Sequence, residues 1–306
     1  MHYFDLSHFS LLKISGKDAC EFLHAQVTCD LSQLDTYGWL PGAWCMPNGR
    51  VIATFFTYRN ENNFYLITPG MLREKIIKRM GMFILRSDVT ISDETDNMTL
   101  MGLYGDECVS LIKRFTGNSP DRDSLLIEKD SIVFLKMPDP EPRYMISCAM
   151  DGLTTVMNLL PADAIEGNRE MWSLLDINAG IPWIINSTTE QFLPQMLNLD
   201  ESGGLSFSKG CYPGQEIIAR VRYRGHLKKK MYLGKGKPCT LPGPGDRLFS
   251  GTGDSPVGEI IDAEFNAERE VRFLAVVDIA HSQDPHLFIM DEQKTEITLG
   301  AFTCTR

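Results

Sequence analysis

The amino-acid sequence predicts an α+β fold that is followed by a small β-barrel. Up to Gly225, helix-like and strand-like patterns alternate and hairpins join the strands, which is typical of helices packed on a largely antiparallel sheet. After Gly225, short strand-like segments are separated by glycine and proline and lack a helical period, as in Leu241-Pro-Gly-Pro-Gly-Asp246. We therefore expect an α+β region over residues 1–226 and a β-barrel over residues 227–306.

The elements of the α+β region follow from the spacing of their apolar residues. Phe22, Leu23 and Val27 recur at helical intervals after Asp18, a residue type that caps helices. Runs of β-branched and aromatic residues flank the polar turn 60–63, which indicates a hairpin. The predicted helices are 19–27, 72–80, 108–115 and 152–160, and the predicted strands are 51–58, 64–68, 100–104, 131–136 and 144–148.

The predicted barrel consists of short strands with turn residues between them. With 306 residues, of which 43% are hydrophobic, the chain is long enough to form this barrel beside a separate α+β core. The predicted barrel strands are 231–234, 247–250, 257–262, 271–277 and 296–303.

The charge of the chain is unevenly distributed. The formal net charge is −10, which disfavours general binding to nucleic acids. The stretch from Lys209 to Lys237 holds nine basic residues and one acid, Glu216, so it carries +8 and the rest of the chain carries −18. This basic stretch predicts either a local anionic partner or a solvated helix end and linker.

The cysteines and histidines show no pattern that is typical of a metal site. The cysteines are widely and irregularly spaced without a CxxC pair, which disfavours a disulfide framework and a four-thiolate site. The histidines lack HxxxH and HExxH spacing, so we expect no metal site. Free cysteines, no apparent signal peptide and no long apolar run favour a cytoplasmic protein without a membrane span. The eight cysteines are Cys20, Cys29, Cys45, Cys108, Cys148, Cys211, Cys239 and Cys304.

One segment carries residue types with chemical function, Lys209-Gly-Cys-Tyr-Pro-Gly-Gln-Glu216. Its proline and the i,i+4 pair Glu216 and Arg220 predict a helix that begins just after Cys211. A cysteine at a helix N-terminus and near Lys209 favours its thiolate, the form that acts as nucleophile or metal ligand. Cys211 is therefore the candidate reactive thiol, and the alternative is a buried structural cysteine in a glycine-rich turn.

The same segment resembles the K-G-C-[YF]-x-G-Q-E signature of the YgfZ-type folate-binding proteins, which are relatives of the glycine-cleavage T-protein. The resemblance covers most of the chain. It implies two ferredoxin-like halves packed together and a C-terminal β-barrel, around a central opening that takes tetrahydrofolate. The further matching residues and segments are Ile14–Ala19, Phe22–Leu23, Gln26, Thr28, Asp30–Leu31, Asn178–Pro182, Phe192–Gln195, Asn198–Leu199, Gly204–Gly210 and Tyr223–Gly225.

The resemblance also implies a folate-binding accessory protein for the synthesis or repair of iron–sulfur enzymes, including enzymes that modify transfer RNA. The implied cofactor is tetrahydrofolate or a derivative, and the implied partners are iron–sulfur client enzymes or assembly proteins. Cys211 and Lys209 match the reactive positions of the signature. The remaining motif residues are Gly210, Tyr212, Gly214, Gln215, Glu216 and Arg220.

The sequence departs from the T-protein pattern at two places. Ala53 and Thr54 replace an acidic pair, so we expect no aminomethyltransferase activity, because the proton transfer needs a carboxylate. Asn178 replaces the glutamate that anchors the pterin, so we expect folate binding that is weaker or shifted. Trp172 and Phe9 match aromatic positions of the folate cavity, and we expect Phe9 to open the first strand of the chain, ahead of those given above. Ordinary core packing is the alternative for both aromatic residues.

Two other functions compete with the accessory role. One is a folate-dependent one-carbon transferase or demethylase of the aminomethyltransferase type, against which the loss of the acidic pair argues. The other is an RNA-binding protein that uses the basic stretch, against which the net acidity argues. We expect neither direct nucleic-acid binding nor membrane association.

Overall fold

The computed structural model describes residues 1–117, 126–251, 255–291 and 293–300. The chain divides into two compact units. The first consists of Met1–Gly42 and Phe55–Arg169, and the second consists of Ala43–Thr54 and the chain from Glu170 onward. The predicted boundary near residue 226 falls within the second unit and stays a prediction.

The first unit is built from two β-sheets and the helices that follow their strands. One sheet has the strand order β11-β1-β7-β10-β9-β8, and the other has the order β3-β4-β5-β2-β6. The strands are β1 His2–Asp5, β2 Phe9–Ser15, β3 Trp39–Cys45, β4 Val51–Asn60, β5 Asn63–Pro69, β6 Thr90–Asp93, β7 Met98–Tyr104, β8 Leu126–Lys129, β9 Ile132–Lys136, β10 Arg143–Ala149 and β11 Ile165–Gly167. The last three residues of β3 and the first four of β4 belong to the second unit. The helices are α1 Ala19–Gln26, α2 Leu34–Tyr37, α3 Arg73–Gly81, α4 Glu107–Thr116 and α5 Met150–Leu159.

A continuous apolar core joins helices α4 and α5 to the six-stranded sheet. Leu111 of α4 and Val156 of α5 are buried against Leu103 of β7 and Ile146 of β10. The apolar residues of α4 recur at helical spacing and those of the strands face the helices, so both elements bury one face in this core. A buried hydrogen bond from the Tyr58 hydroxyl on β4 to Ser147 Oγ on β10 (2.9 Å) connects the two sheets.

The second unit contains two helices and a closed barrel. Strands of the barrel follow the order β12-β15-β14-β13-β16-β17, and their paired neighbours are antiparallel. Phe273, Ile260 and Leu248 lie in its apolar interior. The strands are β12 Lys229–Gly236, β13 Arg247–Ser250, β14 Pro256–Phe265, β15 Val271–Asp278, β16 Leu287–Ile289 and β17 Glu296–Gly300. The helices are α6 Arg169–Asn178, whose first residue still belongs to the first unit, and α7 Gln215–Arg224.

The predicted fold class is confirmed, because α+β elements precede a closed C-terminal barrel. The sequence interpretation missed β1, so Phe9 opens the second strand and not the first. The predicted end of the last strand at Thr303, and Cys304 after it, lie outside the described residues. No helix in the described part of the chain is long and apolar enough to cross a membrane.

Candidate functional site

The signature segment forms an irregular loop that ends at helix α7. Within it, Ser206 Oγ accepts hydrogen bonds from the backbone N–H groups of Ser208 (3.3 Å) and Lys209 (3.2 Å). The Tyr212 hydroxyl donates to the Ser206 carbonyl at 3.4 Å, and the Gln215 N–H donates to the Tyr212 carbonyl at 3.2 Å. These short-range bonds define one loop conformation, which we call the signature loop (residues 203–214).

The signature loop is seated on a second turn, residues 46–49, through two glycines. Gly214 has a φ of +85° and Gly49 a φ of +80°, which L-residues with side chains rarely adopt. A Cβ on Gly214 would lie 2.6 Å from both the Gly49 Cα and the Met46 carbonyl oxygen. Because backbone atoms line this contact, only glycine fits at position 214.

Cys211 is exposed on this loop. Among the described cysteines, only Cys20 and Cys239 share that exposure. Burial raises the pKa of the Cys148 thiol to about 11 and that of the Cys108 thiol to about 12, so these thiols stay protonated at neutral pH. Cys211 therefore belongs to the small set of thiols that a reagent or partner reaches directly.

The prediction that a helix begins just after Cys211 is wrong. Helix α7 begins at Gln215, and Gly214 precedes it in a left-handed conformation. Pro213 and Gly214 turn the chain before the helix starts, so Cys211 lies outside its first turn. The favourable field of a helix N-terminus falls off within about one turn, so the argument from that field no longer applies to this thiol.

Lys209 contacts an aromatic ring of the signature loop. Its side chain is 8% exposed, and its Nζ lies 5.3 Å from the centroid of the Tyr212 ring, within the range of a cation–π contact. Tyr212 is itself buried, and burial together with the nearby Cys45 thiol raises the pKa of its hydroxyl. Lys209 thus packs into the base of the loop, and its action on the Cys211 thiol stays a prediction.

The other motif residues lie in the signature loop or on α7. Gly210 is exposed, and a Cβ at this position would meet no atom within 4 Å among the described residues. Glu216 and Arg220 form the predicted i,i+4 pair at 3.3 Å on the exposed face of the helix. The buried Gln195 side chain donates from Nε2 to the Ile218 carbonyl at 2.7 Å, and this hydrogen bond holds the buried face of the helix in place.

The basic stretch is partly neutralised by neighbouring acids. Lys229 lies 3.9 Å from Asp278, and Lys230 contacts Glu201. The Arg222 guanidinium lies 4.0 Å from the centroid of the Phe207 ring, a cation–π distance. Several members of the stretch therefore have partners within the protein.

Thr54 has a structural role that an acid would not fill. Its hydroxyl donates to the Pro182 carbonyl at 2.7 Å and accepts from the Ile184 N–H at 3.0 Å. An ionised carboxylate accepts hydrogen bonds but has no proton for a carbonyl. The neighbouring Ala53 is fully buried. Both replacements of the acidic pair are thus integrated into the packing of the second unit.

The predicted folate contacts differ in exposure. Trp172 is fully enclosed (0% exposed), whereas Asn178 at the end of the same helix is exposed. Six residues separate them, which places their side chains about 120° apart around α6. Phe9, in the first unit, is 3% exposed and lines a cavity of about 90 Å³. Helix α6 therefore does not present Trp172 and Asn178 on one face.

A pair of carboxyl groups in the second unit, the buried Asp176 and the partly buried Asp262, was missed by the sequence interpretation. Asp176 accepts a hydrogen bond from Trp183 Nε1 at 2.8 Å, and Ser173 Oγ donates to Asp262 at 3.4 Å. Burial, and then the nearby Asp176, raise the pKa of Asp262 to about 7. Asp176 lies one helical turn after Trp172, so the helical spacing could have predicted that Asp176 shares the buried face of α6. In the described residues, no group of three or more His, Cys, Asp or Glu side chains is arranged to hold a metal ion.

Known proteins share the fold of this chain. A family model described as the GCVT N-terminal domain matches residues 1–127. The crystal structure of the glycine cleavage system aminomethyltransferase T from Bartonella henselae superposes with a TM-score of 0.79 and 15% identity, covering 99% of this chain and 85% of that one. At this identity the superposition shows a shared fold.

Two proteins match this chain with higher sequence identity than the aminomethyltransferase structure does. The tRNA-modifying protein YgfZ of Hamiltonella defensa is 31% identical over 244 residues, which are 79% of this chain and 72% of that protein. The tRNA-modifying protein YgfZ of Klebsiella pneumoniae is 30% identical over 250 residues, which are 82% of this chain and 76% of that protein. With this identity over most of both chains, and with the Lys209–Glu216 signature at the end of the signature loop and the start of α7, the chain belongs to the YgfZ family.

Proposed function

We propose that this protein is a folate-binding accessory protein that supports the synthesis or repair of iron–sulfur enzymes, including enzymes that modify tRNA, through the thiol of Cys211. The relatives' name, tRNA-modifying protein, and the aminomethyltransferase-like fold support this proposal. The observation that carries it is the exposure of Cys211 on a loop that Gly214 and Gly49 seat on the protein.

The arrangement suits a thiol that acts on a large partner. An exposed thiol on a seated loop is accessible to another protein, whereas the buried Cys108 and Cys148 thiols are not. The thiolate is the form of cysteine that attacks disulfides and binds metals, so Cys211 supplies a nucleophile or a ligand to an iron–sulfur client. The loop contacts keep this thiol in one place and thereby reduce the entropy lost on docking.

The residues fit a reduced folate only in part. Asn178 is exposed at the end of α6, and its amide donates and accepts hydrogen bonds. Trp172 offers no free ring face, because protein encloses it on all sides. We therefore assign the direct contact with the pterin to Asn178 and a supporting role to Trp172.

The Thr54 geometry argues against a one-carbon transferase. Its hydroxyl holds the Pro182–Ile184 segment where the T-protein carries an acid, and Ala53 has no ionisable group. A test for methylene-tetrahydrofolate formation from a methylamine donor is expected to give no product. Product formation would revive the transferase alternative.

Thiol labelling tests the role of Cys211. Brief treatment of the folded protein with substoichiometric iodoacetamide at neutral pH, followed by peptide mass spectrometry, is expected to label Cys211 before Cys20 and Cys239. All three side chains are exposed, so the comparison separates reactivity from accessibility. Faster labelling of Cys20 or Cys239 would remove the basis for a reactive Cys211.

A cellular assay tests the accessory role. In cells that lack the protein, the activity of an iron–sulfur tRNA-modifying enzyme is expected to be restored by the wild type and by Cys239→Ser, but not by Cys211→Ser. Cys239 is the matched control because it is also exposed in the second unit. Equal restoration by both variants would contradict the proposal.

Calorimetric titration with tetrahydrofolate tests the folate assignment. We expect a micromolar or weaker dissociation constant, which corresponds to about 8 kcal/mol or less of binding free energy. Asn178→Leu is expected to weaken binding about tenfold through the loss of its hydrogen bonds. Binding that is unchanged in Asn178→Leu would rule out the assignment of the pterin to this side chain.

A further inference from the structure

The first unit contains an open cavity on one face of strand β2. Its volume is about 450 Å³, within the range of about 300–1,000 Å³ that is typical of small-molecule sites. We call it the β2 cavity, and its lining residues that matter here are Ser7, His8, Ser10, Gly70, Arg73 and Thr95.

The β2 cavity lies apart from the aromatic position that resembles a folate contact. Successive side chains of a strand point to opposite faces, so Ser10 projects to the face opposite Phe9 and Leu11. Phe9 and Leu11 line a neighbouring cavity of about 90 Å³, which shares Ser7 and Thr95 with the β2 cavity. The pterin contact proposed above is assigned to Asn178 of the second unit, so a ligand in the β2 cavity is a second ligand.

Ser10 supplies the strongest indication of a ligand. Its side chain is 1% exposed and lines the cavity, yet its Oγ has no hydrogen-bond partner among the described residues. A buried hydroxyl without a partner has lost its hydrogen bonds to water, and a bound oxygen atom would restore one of them. Gly70 leaves room beside it, because a Cβ there would lie 3.3 Å from Ser10 Oγ and 2.9 Å from the His8 carbonyl oxygen.

The start of a helical segment forms another wall. A 3-10 turn, Gly70–Leu72, leads directly into α3. The Gly70 N–H already donates to the His8 carbonyl at 2.9 Å, so only the N–H groups after it remain for a ligand, and the cap residues Pro69 and Leu72 provide no side-chain hydrogen bond. Uncapped N–H groups at such a start attract anions. Arg73, on the first turn of α3, adds a positive charge to the wall.

The remaining charges leave Arg73 available to a ligand. Its Nη1 lies 3.5 Å from Asp93 Oδ2, and both side chains are partly exposed, so water screens this pair and the attraction is weak. Glu74 also lines the cavity but is exposed, where water screens its carboxylate. Burial, and then the nearby Arg169, lower the pKa of His8 to about 4, so its imidazole is neutral and offers one N–H donor.

We propose that the β2 cavity binds the oxyanion group, a carboxylate or a phosphate, of a small metabolite through Ser10 Oγ, Arg73 and the start of the Gly70–Gly81 helical segment. The hydroxyl and the guanidinium donate charge-assisted hydrogen bonds, and the backbone N–H groups complete the cradle. The occupant is held in the first unit, independently of Cys211.

Titration of the full-length protein with inorganic phosphate and with acetate tests the proposal. Backbone amide resonances are followed by NMR at constant ionic strength, with chloride as the control for plain screening. The amides of Ser10 and of residues 70–74 are expected to shift and saturate with at least one probe. The probe that saturates at the lower concentration distinguishes a phosphorylated metabolite from a carboxylic acid.

Three variants sharpen the titration. Ser10→Ala and Arg73→Gln are expected to weaken binding of the preferred probe about tenfold each, the effect of one charge-assisted hydrogen bond. Ser110→Ala, which removes an exposed hydroxyl of α4 in the same unit, is expected to leave binding unchanged. No saturable shift with either probe, or equal binding by all three variants, would overturn the proposal. Arg73→Gln changes a partly exposed side chain, so its result does not depend on the folding of Ser10→Ala.

Discussion

The signature loop and helix α6 lie in the same unit but distribute exposure in opposite ways. In the signature loop, the tight contact is made by the backbone of Gly214, and the Cys211 side chain remains in solvent. In α6, the tight contacts are made by side chains, since Trp172 and Asp176 are enclosed. The loop thus holds a reactive group in solvent, whereas the helix buries its largest side chain in packing contacts. Loss of a side chain should therefore affect partner chemistry in the loop and stability in the helix.

The largest expected effect is the loss of the Trp172 side chain. Trp172→Ala removes a fully enclosed indole and is expected to lower the free energy of unfolding by about 3–5 kcal/mol, the usual cost of such a cavity. Cys211→Ala removes an exposed thiol and is expected to change it by less than about 0.5 kcal/mol. Urea unfolding of both variants measures the difference. A Trp172→Ala protein of wild-type stability would show that α6 is not the packing element described here.

The carboxyl group of Asp262 makes the stability of the α6 region depend on pH. Its pKa is raised to about 7 in the folded protein, whereas an unperturbed aspartate has a pKa near 4. The folded state therefore holds this proton more tightly, and the associated stability is full below about pH 4 and is lost as the pH rises through about 7.

Asp262→Asn removes this proton equilibrium. Relative to the wild type, the variant is expected to gain about 2–4 kcal/mol of unfolding free energy between pH 4 and pH 8. Urea unfolding of the wild type and the variant at several pH values checks it. A constant offset for Asp262→Asn would mean that the pKa of Asp262 is not raised.

The backbone contact of the signature loop provides the next test. Gly214→Ala places a Cβ 2.6 Å from backbone atoms at a φ of +85°, and is expected to cost about 2–3 kcal/mol of stability. Gly210→Ala lies four residues earlier in the same loop, where a Cβ meets no described atom within 4 Å, and is expected to cost less than about 1 kcal/mol.

The same pair of variants separates the seating of the loop from its chemistry. Because Gly214→Ala displaces the loop, Cys211 should lose its lead in alkylation over Cys239 in that variant and keep it in Gly210→Ala. Equal stability of the two glycine variants would show that the loop does not depend on its contact with the 46–49 turn.

The sequence predicted most of this architecture, because its signals were local. Hairpin turns, helical spacing and the glycine- and proline-rich texture after Gly225 each involve neighbouring residues, and they correctly predicted the α+β region and the barrel. Strand β1 was missed because it forms through pairing with β7 and β11. Its pairing partners are distant in sequence.

The site was predicted less completely for the same physical reason. The motif identified the loop, but the start of α7 was misplaced because the left-handed conformation of Gly214 depends on its contact with Gly49. The carboxyl pair of Asp176 and Asp262 joins residues 86 positions apart, so helical spacing could place Asp176 on the buried face of α6 but could not identify Asp262 as its neighbour. Whether a residue is enclosed, as Trp172 is, also depends on tertiary packing.

The smallest expected effects concern the exposed charges around the signature loop. If the basic stretch attracts the glutamyl tail of a folate, each added carboxylate gains only about 0–1 kcal/mol, because exposed pairs are weak. Pentaglutamyl tetrahydrofolate is therefore expected to bind more tightly than the monoglutamyl form at low salt, and the advantage is expected to shrink at high salt as the charges are screened.

The substitution Arg220→Gln should reduce the advantage of the pentaglutamyl form. The control is Arg86→Gln, which changes an exposed arginine of the other unit and should leave that advantage unchanged. Arg220 already pairs with Glu216 at 3.3 Å, so binding a folate carboxylate exchanges one exposed partner for another. We therefore expect Arg220→Gln to change the affinity for the pentaglutamyl form by only about twofold. Equal affinity for both folates at low salt would mean that the basic stretch serves a different anionic partner, such as tRNA or the acidic surface of a client enzyme.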